Sequence, residues 1–430
     1  MATETNPQQT LQTLEQEYQA YKQSEKPDPE ELLRKCFQTA SAAYQIYNLP
    51  LALQYNLQAK ELAEQHNIKD RLEAIYTNIG TIYSRQAERE KALQYYQQAM
   101  QLVQDKGDIQ AQANIMANMG IVYQETGKLD QALTNYNQAL EIHTKLGNAS
   151  GQARQLGNVA LIYSTRGQFA EAMQNYEKAL AIYQELGELT GQSVQLSNMG
   201  LIYHIQRDLP KALECHNQAL QLSRQVGDTN AQATSLGHIG LVYKIQGKLQ
   251  EALTSHQQAL EICKSTGDLQ GQASQLGNLA ILYREQKKIP EAIETMRETL
   301  NIHVKTGDIP GQASDFGNLG VLYGMRGEAE EALKYYQQAL DMHKKIGDVN
   351  GQAIQLGNMG TVYYNQGQLV ESVEHLNQAL YILETSGSYE NRAMFRRNAA
   401  MVYEKLGQKE QAEKFYHIAD EEEQAQRINN

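Results

Sequence analysis

From residue 78 onward an asparagine returns every fortieth position: Asn78, Asn118, Asn158, Asn198, Asn278, Asn318, Asn358 and Asn398, with His238 standing in once. A carboxamide offers one acceptor and two donors, the reverse of what an extended polypeptide backbone presents. A row of such amides along one face is chemistry for holding a peptide by its main chain. The preceding column is small throughout (Thr77, Ala117, Gly157, Ser197, Gly237, Gly277, Gly317, Gly357), which leaves room for a ligand backbone to approach. Asparagine is a mediocre helix former, so helix stability does not account for the recurrence. The alternative is structural: each amide bonds a carbonyl of the adjacent unit and the small neighbours allow tight packing. One amide can do both with different ends.

Two further columns vary, which is where a repetitive scaffold writes specificity. Ser164, His204, Lys244, Arg284 and Tyr364 form one, and Thr165, Ile205, Ile245, Glu285, Met325 and Asn365 the next. The apolar members suit pockets, whereas Lys244 and Arg284 suit an acidic side chain, and solvated rim positions are the bland alternative. In the last period Arg397 replaces the small residue beside Asn398. Its planar fork suits a carboxylate of the ligand, and the competing expectation pairs it and its neighbours with Glu404, Glu410 and Glu413.

Catalytic chemistry finds no comparable support. The histidines fall into repeat columns: His216 and His256 in an aromatic slot, and His143, His303 and His343 in another. His256 and Cys263 are seven residues apart, but two ligands without a third make no metal site. A phosphate-binding loop, a nucleophile elbow and a zinc-protease motif are all absent from the sequence. The expectation is a protein without enzymatic activity, cofactor or metal.

The elements that position these columns follow from a second ladder. Tyr83, Tyr123, Tyr163, Tyr203, Tyr243, Tyr283, Tyr323, Tyr363 and Tyr403 keep the same forty-residue period, the signature of stacked repeats. Within residues 110–149, Ile115, Met116, Met119, Ile121, Val122 and Tyr123 are apolar at helical spacing, as are Leu129, Ala132, Leu133, Tyr136, Ala139, Leu140 and Ile142. Each unit is therefore two amphipathic helices. Gly127 and its equivalents close the turn between them, where positive φ is required. Asp108, Asn148, Asp228, Asp268, Asp308 and Asp348 are placed to cap the following helix. Pro210 and Pro290 fall in a first helical turn, where a missing N–H costs nothing. Columns of alanine (Ala92, Ala132, Ala172 onward) and of Gly80, Gly120, Gly240, Gly320 and Gly360 let helix axes approach closely.

Phe316, Leu319, Gly320, Tyr323, Ala332, Tyr336 and Ala339 together resemble the tetratricopeptide (TPR) repeat. The forty-residue spacing is similar to the long-helix variety of kinesin light chains, Pins/LGN adaptors and Rap-type peptide receptors, and Leu276–Tyr283 resembles kinesin light chain repeats in particular. This resemblance implies an all-α fold, a right-handed TPR superhelix or α-solenoid of about ten helix-turn-helix units, with first helices lining a concave groove. The expected organisation is a polar lead (1–30), one elongated solenoid (31–425) with a degenerate first unit at 31–69 and nine regular units at 70–425, and a charged tail (426–430). A co-chaperone role is disfavoured, because that subtype's carboxylate clamp has Lys where this chain has Gly or Ser.

Composition narrows the partners. A net charge of −12 argues against nucleic acid, whose binding rests on Lys and Arg. No face is both basic and apolar, no apolar run reaches membrane-spanning length, and no signal-peptide pattern opens the chain, so a soluble cytoplasmic protein is expected. Cys36, Cys215 and Cys263, odd in number, read as reduced apolar fillers. The expected partner is a protein or peptide held through Asn118, Asn158, Asn198, His238, Asn278, Asn318, Asn358, Asn398, Lys244, Arg284 and Arg397. The expected function is a scaffold or adaptor, and its alternative is the ligand-sensing arm of a signalling system.

Overall fold

The structure, a computed structural model, describes residues 6–429, with side chains as far as residue 424. The expected tail at 426–430 therefore lies outside the described side chains. Among the described residues there is no strand, and helix follows helix from Pro7–Lys22 to Lys409–Asn429. The chain divides into two compact units, Met1–Gln206 and Arg207–Asn430.

In each unit the forty-residue period becomes a pair of antiparallel helices. Ile109–Glu125 followed by Leu129–Lys145 is one pair in the first unit, and Ile309–Met325 followed by Ala329–Ile346 is one in the second. Within each unit a first helix packs on the second helix that follows it, as Ile109–Glu125 on Leu129–Lys145 and Ile309–Met325 on Ala329–Ile346, and a second helix packs on the next first helix. The boundaries are set locally, as expected. Asp108, Asn148, Asp228, Asp268, Asp308 and Asp348 each accept a 2.9 Å hydrogen bond from a backbone N–H three residues on. The turn glycine adopts positive φ, 71° at Gly127 and 81° at Gly327. Ala87, Arg207 and Lys287 hold the same left-handed conformation without being glycine.

Close approach explains the glycines inside the first helices. A Cβ on Gly120 would lie 2.5 Å from Cε1 of Tyr136, and one on Gly320 equally close to Tyr336. In the same slot His256 lies against Gly240 and Leu376 against Gly360. The ring fills the space that the missing side chain leaves, and burial of that ring offsets the helix cost of glycine. Beside it, Ala92, Ala132, Ala172, Ala212, Ala252, Ala292 and Ala332 have no exposed surface. The three cysteines are free and buried. Burial pushes the Cys36 thiol up to about 12 and the Cys215 thiol to about 11, so both stay protonated and unreactive.

The N-terminal end is ordered by the same means. Leu11 and Tyr18 of helix Pro7–Lys22 are buried, and Tyr18 packs edge-on against Tyr55. At the other end, helix Lys409–Asn429 packs on helix Arg392–Lys405. Its Glu422 side chain is only 10% exposed and lies 2.7 Å from Arg392 and 3.0 Å from Arg396.

Candidate functional site

The asparagine ladder lies on the first helices, at the same register in every repeat. Asn118, Asn158, Asn198, Asn278, Asn318, Asn358 and Asn398 are all half-buried, as is His238. Of the seven amides, Asn158 alone makes a side-chain hydrogen bond to described residues, donating to Gln155 Oε1 at 3.2 Å. Thus none of the seven bonds a main-chain carbonyl of a neighbouring repeat among the described residues. Half-burial without an internal partner leaves donors and acceptors facing solvent, available to another molecule. His238 packs its ring 4.8 Å from that of His216.

The small column beside the ladder has a reason that the sequence reading did not give. Above Gly157 sits Gln195, whose Oε1 would be 2.8 Å from an added Cβ. Gln275 and Gln355 stand likewise above Gly237 and Gly317, at 3.1 Å. These glutamines, with Gln155, form a buried column three residues before the asparagines. At Gly157, Gly237 and Gly317 the missing side chain therefore admits a glutamine of the following repeat, and at these three positions the space is not left for a ligand backbone. The recurrence of Gln155, Gln195, Gln275 and Gln355 at the forty-residue period was a legible signal, since a buried amide column is costly unless its partners are close. His256 supplies one such partner, its Nδ1 2.8 Å from Gln275 Oε1, and burial lowers the pKa of this ring.

Asp315 takes the glutamine slot once. Its Oδ2 lies 2.6 Å from Nδ1 of His303, whose Nε2 is 3.7 Å from Asp308. Burial raises the Asp315 carboxyl to about 6, with the His303 contact opposing the shift. Being shorter than glutamine and turned to His303, it leaves no heavy atom within 4 Å of the Cβ position of Gly277.

The predicted cations separate in their roles. Lys244 is half-buried with its ammonium 3.4 Å from Glu285. Arg284, at the equivalent register one repeat on, makes no ion pair among the described residues. Arg397 is engaged internally: its Nε lies 2.9 Å from Glu423 and a terminal nitrogen 2.6 Å from Asp420. Those partners belong to the last helix and are not the expected Glu404, Glu410 and Glu413. Among the described residues no group of three His, Cys, Asp or Glu is placed to hold a metal ion, and no helix is long and apolar enough to cross a membrane.

Tetratricopeptide-repeat family models match residues 75–110, 111–185, 193–265, 272–345 and 352–417. No curated protein matches the sequence. Similar folds occur in many solved structures, three of which illustrate the likeness. A STAND signal-transduction ATPase with a tetratricopeptide-repeat sensor, from Pyrococcus horikoshii, is 15% identical at a TM-score of 0.62, over 86% of this chain and 55% of that one. The apo quorum sensor NprR from B. thuringiensis is 16% identical at 0.56, over 78% and 94%. Apo RapI is 15% identical at 0.51, over 64% and 98%. With family models covering most of its length and helix pairs that repeat at their period, the chain belongs to the tetratricopeptide-repeat family.

Proposed function

We propose that this chain is a non-enzymatic scaffold that binds extended segments of other proteins along the first-helix face of each of its two units, through the asparagine ladder. The observation that carries this reading is the state of the amides. Six of the seven are half-buried yet their side chains make no hydrogen bond to described residues, an arrangement that fold stability does not require. Paired with the main chain of a ligand, each contributes about 0.5–1.5 kcal/mol. Arg284, free of an acidic partner, adds a contact for an acidic side chain of that ligand. The partner is a protein or peptide; the −12 charge disfavours nucleic acid.

Peptides selected on the intact chain from a random twelve-residue display library provide the test. Asn278 and Asn318 replaced together by Ala should weaken the selected peptides by about five- to a hundredfold, the sum of two hydrogen bonds. Thermal stability should stay within about 1 kcal/mol of the parent. Unchanged affinity, or a collapse of stability, would overturn the reading.

A further inference from the structure

In the variable column of the first helices, Ser84, Gln124, Ser164, His204, Lys244, Arg284, Tyr364 and Glu404 all carry a side chain, and position 324 carries none. Gly324 is helical and exposed, and a Cβ there would find only Ala332, 3.9 Å away. No packing requirement keeps this glycine, unlike those facing Tyr136 or Tyr336. Gly324 borders a cavity of about 480 Å³, lined also by Val321, Met325, Tyr336, Asn358, Val362 and Gln366. A second cavity of about 180 Å³, reaching Tyr364, Leu376, Asn398 and Met401, shares Thr361 and Asn365 with the first. The two form one groove across helices Ile309–Met325, Val349–Asn365 and Arg392–Lys405.

Its chemistry is specific. No charged side chain lines either cavity, although one residue in five of the chain is charged. The charges nearest in sequence are held elsewhere: Arg326 pairs with Glu328, and the Lys405 ammonium lies 4.1 Å over the ring of Tyr364. Three amides on the groove (Asn358, Asn365 and Asn398) make no side-chain hydrogen bond to described residues. Apolar walls with flexible Met325 and Met401 accept a large apolar side chain of variable shape, whereas a charged one would lose its hydration without gaining a partner.

We infer that this groove is the anchor site of the bound segment: it takes one large uncharged side chain, aliphatic or aromatic, while Asn358, Asn365 and Asn398 hold the main chain around it. The inference rests on the peptide-binding reading above and assigns its specificity. An extended segment of another protein is the occupant, because neutral walls flanked by unpaired amides complement a neutral side chain and its peptide bonds.

The experiment uses the same display library on the full chain, with Gly324→Arg as the variant. Arginine is the side chain that the preceding repeat carries at this register, and it is a better helix former than glycine, so the variant folds. Selected peptides should share one large apolar residue with uncharged neighbours, and Gly324→Arg should weaken them on the order of thirtyfold, the loss of one anchor. Peptides that depend on Asn278 and Asn318 yet bind Gly324→Arg unchanged would leave the ladder reading standing and overturn the anchor. Peptides of charged consensus would overturn it too. A library that yields no binder, or binders indifferent to the asparagines, would overturn both readings. Light scattering adds a last outcome: a dimer of the parent chain that dissociates in Gly324→Arg would make a second copy the occupant and sink the assignment.

Discussion

Two regions near the C-terminal end carry polar residues on neighbouring first helices, and they use them in opposite ways. Around Gly324, Asn358 and Asn365 the polar groups are neutral, half-buried or exposed, and unpaired. Around Arg396 and Arg397 they are charged and fully engaged, with Arg396 between Glu384 and Glu422, and Arg397 against Asp420 and Glu423. Buried charge must find its counter-charge inside the protein, because the cost of leaving it bare exceeds any gain elsewhere. A half-buried neutral amide can wait for a ligand, since water satisfies it at little cost. Position in the repeat is therefore a poor guide to availability, and the charge state of the group is a better one.

The largest effect expected from this contrast is at Glu422. Glu422→Ala leaves Arg392 without a carboxylate and Arg396 with Glu384 alone, and should cost about 3 kcal/mol in chemical denaturation. A loss below about 1 kcal/mol would mean that the cluster is a solvated cap.

Asp315 tests the same rule inside the amide column. Its carboxyl is raised in the folded chain to about 6, so the folded state binds this proton more tightly than the unfolded chain does. The ionised form thus destabilises the fold above pH about 6, and the penalty fades as pH falls toward the unfolded value near 4. Asp315→Asn should gain on the order of 2–3 kcal/mol relative to the parent at pH 7.5 and only about a third of that at pH 4.5. Urea melts at the two pH values read this directly, and an equal effect at both would place the stabilising role with the His303 contact itself.

Arg397 should matter less for stability, because its side chain is about two-fifths exposed. Arg397→Glu faces Asp420 and Glu423 with a third carboxylate and should destabilise far less than Glu422→Ala, the effect diminishing in high salt. The smallest effect belongs to the ladder. Asn278→Ala and Asn318→Ala should each change stability by no more than a few tenths of a kcal/mol, with Ala's helix propensity favouring a gain. A melting transition lowered by several degrees in either variant would erase the contrast drawn between the two regions.

Much of this could be read from the chain alone. The tyrosine period, the turn glycines and the Asp and Asn caps specify helix pairs by local rules, because a cap or a positive φ depends on residues three or four positions away. The asparagine ladder was legible for the same reason: equal spacing places equal residues at equal register. Gly120 and Gly320 were also read correctly as sites of close approach, since the ring that fills them lies in the same repeat. What the sequence left open depends on contacts between elements far apart in the chain. Gly157 looked like space for a ligand until Gln195, 38 residues on, filled it. Arg397 looked open until Asp420 and Glu423 of the last helix closed on it. Gly324 carried no signal, being one more glycine in a glycine-rich repeat, and only the packed helices around it show that nothing occupies its place. Repetition and capping are encoded within a turn or two of helix, so the sequence by itself determined the fold. Whether a side chain at a given register is free, paired or overlaid depends on which neighbouring helix reaches it, and the tertiary structure alone decided that.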